Sequence, residues 1–103
     1  MKKVLISQPI EDVSFDDFFT LQQEVSKKLE KREYLPVETI FIQDNLHYLS
    51  QVFSLMKNCD AIYFASGWTK SKVCRIIRLT AVLYKIEIVD DTENKEVSNE
   101  NIN

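Results

Sequence analysis

Six residues able to hold an anion or stack on a ring fall between positions 67 and 75: Gly67, Trp68, Lys70, Ser71, Lys72 and Arg75. Gly67 is the only glycine of the chain and Trp68 its only tryptophan. Ser71 opens a predicted helix, and the free N–H groups and positive dipole end of such a helix attract phosphate or carboxylate. The serine hydroxyl and the neighbouring cations add to that attraction. The plainer reading is that Ser71 or Thr69 caps the helix while the cations sit in water. Trp68 either stacks on a base or sugar, or covers the sheet edge or a subunit contact. Gly67 either takes a positive φ or lets a ligand approach the backbone closely.

Charge reinforces the anion reading. From Ala61 to Ile86 there is no carboxylate, while Lys70, Lys72, Arg75, Arg78 and Lys85 supply +5. The net charge of −3 over 103 residues comes from residues 90–103, which hold five acids and one lysine. That segment is polar, aperiodic and poor in large apolar groups, so it cannot offset its own ordering entropy. One domain over 1–90 and a disordered acidic tail over 91–103 follow. Because the basic residues occupy one short segment of an acidic chain, the expected partner is a small anion and not a nucleic acid. No apolar run approaches the roughly 18 residues of a membrane span, and the start is too short in apolar residues for a signal peptide, so a cytoplasmic protein without a membrane role is expected.

Bond-breaking chemistry is poorly supplied. Cleaving a glycosidic bond calls for a nucleophilic carboxylate and a second group as acid or base. The predicted helices over 45–57 and 71–84 contain none. The candidate acids are Glu11, Asp12, Asp44, Asp90 and Asp91; Asp60 begins a strand at the far end and reads as structural. His47, the single histidine, has no evident cysteine or serine partner. Cys59 and Cys74 lack zinc-site spacing and read as reduced, packed thiols. No phosphate-loop, dinucleotide or metal-ligand motif occurs, so no cofactor and no metal are expected.

The elements that position these residues follow from hydrophobic pattern. Val4, Leu5 and Ile6 form a buried strand that leaves the sheet through Ser7-Gln8-Pro9. Ser14 and Asp17 have the form of a capping box, and Phe15, Phe18, Gln22, Val25 and Leu29 mark a helix over about 15–32. Val37 to Ile42 reads as a second strand. Asp44 caps a helix whose apolar face carries Leu46, Leu49, Val52, Phe53 and Met56. Residues 60–65 are a third strand with both faces covered, 66–70 a loop, 71–84 a helix, and Ile86, Ile88 and Val89 a fourth strand. This β-α-β-α-β-α-β order calls for parallel strands and right-handed crossovers. A flavodoxin-like three-layer α/β sandwich with a small, about four-stranded sheet is predicted. In such sheets ligands sit beyond the carboxyl ends of the strands, where 7–9 and 66–71 both emerge.

KKVLISQPI at 2–10 and MKNCDAIYFASGWTKSKVCRI at 56–76 together resemble the nucleoside 2-deoxyribosyltransferase-like superfamily, in particular its small bacterial and phage branch. The likeness spans most of residues 1–90. It implies a flavodoxin-like fold, a homodimer or higher oligomer, and a pocket for deoxynucleosides or their monophosphates, with Ser7, Gln8, Pro9, Gly67, Trp68, Ser71, Lys72 and Arg75 as its ligand-binding residues. Against the family pattern, Ser71 fits, Val73 replaces a glycine, Ile77 replaces the glutamate nucleophile, Gln8 replaces a glycine and Val52 an acid. An isoleucine cannot attack an anomeric carbon. The expectation is therefore a pocket for a nucleotide, another anion or a protein partner, with no catalytic residue. Two alternatives stay open: an active glycosidase or transferase recruiting Glu11, Asp12 or a neighbouring subunit's carboxylate, and a structural or regulatory oligomeric module.

Overall fold

The structure, a computed structural model, describes residues 1–89. The boundary at 90/91 and the acidic tail lie outside the described residues. Four parallel strands, β1 (Lys3–Ser7), β2 (Leu35–Val37), β3 (Ala61–Phe64) and β4 (Glu87–Val89), form one sheet in the order β2-β1-β3-β4. The connecting helices are α1 (Phe15–Lys31), α2 (Asn45–Met56) and α3 (Lys72–Leu83). A mixed α/β architecture compatible with a flavodoxin-like fold results.

Alternation along β1 and β3 divides the core in two. Leu5, Ile62 and Phe64 pack with α2 and α3 residues such as Val52, Met56, Val73 and Ile77. Val4, Ile6, Ala61 and Tyr63 pack with Val25 and Leu29 of α1. Both faces of the central strands are thus covered, which is why they read as continuous apolar runs. Asp60 anchors the opposite edge, its Oδ2 accepting from Lys3 N at 2.8 Å.

The helices start where the caps predict. Ser14 Oγ accepts from Asp17 N at 3.1 Å, and Asp44 Oδ1 accepts from Leu46 N at 3.0 Å. Ser71 and Tyr84 cap α3, so they flank the helix instead of belonging to it. Two residues assigned to inward faces differ: Leu46 is 76% exposed, and Phe15 is 59% exposed and stacks on Phe19.

The second strand also needs correction. It ends at Val37, whereas Val37 to Ile42 was expected. Beyond Val37, side chains capture the backbone that a ladder would use. Gln22 Oε1 accepts from Thr39 N at 2.8 Å while its Nε2 donates to Thr39 O at 2.9 Å. Gln51 binds Ile40 in the same two-way fashion, at 2.7 and 3.0 Å. Tyr48, fully buried, meets Thr39 Oγ1 at 2.9 Å, and burial pushes its phenol up to about 12. Pro36 is tolerated because β2 is an edge strand.

Gln22→Leu strands both backbone groups of Thr39 in a buried site and is expected to cost about 2–4 kcal/mol. Urea unfolding measures this, and a cost near zero would show that water replaces the amide.

Candidate functional site

Strand order reverses between β1 and β3, so the loops that follow them diverge and leave a crevice at their carboxyl ends. A cleft of about 460 Å³ occupies this place. Gln8, Pro9, Glu11 and Asp12 approach it from the β1–α1 loop, Asp17, Phe18 and Leu21 from α1, and Ser66, Gly67, Lys70 and Ser71 from the β3–α3 connection.

Gly67 adopts φ +90°, in the left-handed region, and leads into a 3₁₀ turn at Trp68–Lys70. A Cβ built on it would meet only Pro9 Cγ at 3.6 Å, an ordinary contact. The glycine is therefore required by its backbone angle and not by lack of room.

The N-terminus of α3 borders the cleft through Ser71, and the chain fills it with its own carboxylate. Glu11 Oε1 accepts from Ser71 Oγ at 2.6 Å, and Glu11 Oε2 accepts from Val73 N at 2.9 Å. Ser71 Oγ in turn accepts from Cys74 N at 3.1 Å. α3 has no acid in its own first turn, so Glu11 supplies from across the cleft the negative charge that a helix start favours. Partial burial acts to raise the Glu11 carboxyl, but the bonds from Ser71 and Val73 outweigh it and hold the group below its ordinary 4.5.

Of the expected ligand-binding residues, Gln8, Pro9, Gly67 and Ser71 line the cleft, while Ser7, Trp68, Lys72 and Arg75 do not. Ser7 is fully buried and donates to Cys74 Sγ at 3.5 Å. Trp68 packs on Phe64 at 5.7 Å, and the Arg78 guanidinium lies 4.4 Å from its ring centroid. That cation already occupies a stacking surface of the indole. Lys72 and Arg75 are exposed on α3. Gln8, also fully buried, donates through Nε2 to Phe18 O at 3.1 Å, and its Oε1 has no partner.

Ile77, Val73 and Val52 are core residues, each 1% exposed or less. His47 is far from buried and sits 3.3 Å from Asp44 Oδ2. Both cysteines are free, with burial pushing their thiols up. Among the described residues no group of three or more His, Cys, Asp or Glu could hold a metal, and no helix is long and apolar enough to cross a membrane.

Compared with known proteins, the chain matches no family model, no curated protein and no solved structure.

Two outcomes follow from the geometry. Because the folded Glu11 carboxyl lies below its ordinary value, its contribution is complete above the usual glutamate range and is lost as pH falls through the folded value. Thermal melts of Glu11→Gln and the native protein should differ most near neutral pH and converge as acid protonates the folded carboxyl. Gly67→Ala should cost about 1 kcal/mol through its positive φ alone, as read by urea unfolding.

Proposed function

We propose that this chain is a non-catalytic relative of the nucleoside 2-deoxyribosyltransferase-like superfamily, holding a nucleoside or nucleotide in the cleft without cutting its glycosidic bond. One observation carries the reading: Ile77, at the position of the family's nucleophile, is fully buried in an apolar core. α3 therefore sends no carboxylate toward the cleft. Glu11 does not stand in as nucleophile, because both of its oxygens are engaged, nor as proton donor, because its ionised form is favoured. A general acid at neutral pH needs the opposite shift.

The charge around the cleft refines the ligand. Glu11, Asp12 and Asp17 line it against Lys70 alone. Since Glu11 already occupies the helix end where a phosphate would sit, an uncharged nucleoside has the better fit and a monophosphate competes with Glu11. The unpaired Gln8 Oε1 supplies an acceptor beside the cleft, suited to an N–H or O–H reached directly or through a water.

Calorimetry with deoxynucleosides and their monophosphates, paired with chromatography for free base, tests the proposal. The expected result is saturable binding, tighter for nucleosides, with no base release. Glu11→Gln should tighten monophosphate binding by about threefold or more, since it removes the competing charge. Steady base release that disappears in Asp12→Asn would replace this reading with an enzyme using an unconventional carboxylate, and absence of binding by either ligand class would remove it.

A further inference from the structure

α3 is apolar on two opposite sides. Val73, Cys74, Ile77 and Ala81 face the core and are buried. Ile76, Leu79, Val82 and Leu83 lie on the other side, exposed by 40, 59, 57 and 68%. A helix that is apolar all round belongs in an interior, and a contiguous exposed row of this kind marks a contact surface.

The charges of α3 point to the occupant. Lys72 and Arg75 stand at its N-terminal end, where the helix dipole disfavours them, and its last turn carries no basic residue. Lys85 follows only in the turn beyond the C-cap, and Arg78 is spent on the Trp68 and Phe64 rings. An antiparallel helix laid along this face would bring its negative end to Lys72 and Arg75. If that helix is a second α3, the match is made twice.

Leu79 lies midway between Ile76 and Val82, three residues from each, with Arg75 four residues before it and Leu83 four after. A two-fold axis through Leu79 therefore sets Ile76 against the second copy's Val82 and places Arg75 over its Leu83, beside the terminal carbonyls and the exposed Tyr84. We infer that the outward face of α3 is an isologous interface between two copies of this chain, centred on Leu79. The exposed stems of Lys72 and Arg75 and the exposed ring of Tyr84 extend the apolar row at its two ends.

Sedimentation equilibrium over a concentration series reads the result. The native protein should approach twice the 12.1 kDa mass of one chain. Leu79→Glu should weaken self-association about 30-fold or more while leaving the circular dichroism spectrum unchanged, because the site is exposed in the single chain. In a Cys59→Ser background, Leu79→Cys should oxidise to a homodisulfide, whereas Arg75→Cys should not, the two-fold keeping its copies too far apart. A single-chain mass at every concentration overturns the inference, whether the face then stays bare or is covered by residues 90–103. A dimer unaffected by Leu79→Glu, or equal cross-linking at both positions, overturns it as well.

Discussion

A carboxylate reaching from one loop to the start of the last helix governs this molecule. Glu11 ties the β1–α1 loop to Ser71 and Val73, so two loops that diverge from the sheet are held at a fixed separation. The cleft between them owes its shape to that tie, and the tie also decides its chemistry. An N-terminal helix end that could have received a ligand's phosphate is satisfied from within. What remains for a ligand is a crevice with a polar rim, an unpaired amide oxygen beside it and no reactive group projecting from α3.

Much of the framework could be read from the chain, because the signals were local. Two capping side chains located the starts of α1 and α2, and continuous apolar runs announced buried parallel strands. β2 was misjudged for a nonlocal reason. Val37 to Ile42 has the composition of a strand, yet Gln22 and Gln51 from two different helices take over the backbone of Thr39 and Ile40. No propensity scale contains that competition.

The site was legible in outline and not in its wiring. The edge of the sheet follows from topology; for Gly67 the sequence leaves a positive φ and a close ligand approach open, and its φ of +90° with room for a Cβ decides for the first. In the sequence Glu11 reads as a candidate acid; in the fold it caps α3 through Ser71 and Val73. The available clue was a helix start without an acid of its own, facing a loop that carries two. Lys72 and Arg75 show the limit of reading charge alone: it suggests a ligand contact, while the fold leaves both exposed on α3 and outside the lining of the cleft. Trp68 was free to stack in the sequence and is engaged by Arg78 in space.

The position of β1 has a further consequence for how the chain reaches this state. β1 is one of the two inner strands of the sheet, and the other, β3, lies far along the chain: Lys3 and Asp60, which are hydrogen bonded, are 57 residues apart in sequence. Until β3 has been synthesised, Val4, Leu5 and Ile6 have only the short edge strand β2 beside them. Sheet closure must await the distant segment, a topology that slows folding and leaves an adhesive apolar strand open to wrong partners in the growing polypeptide.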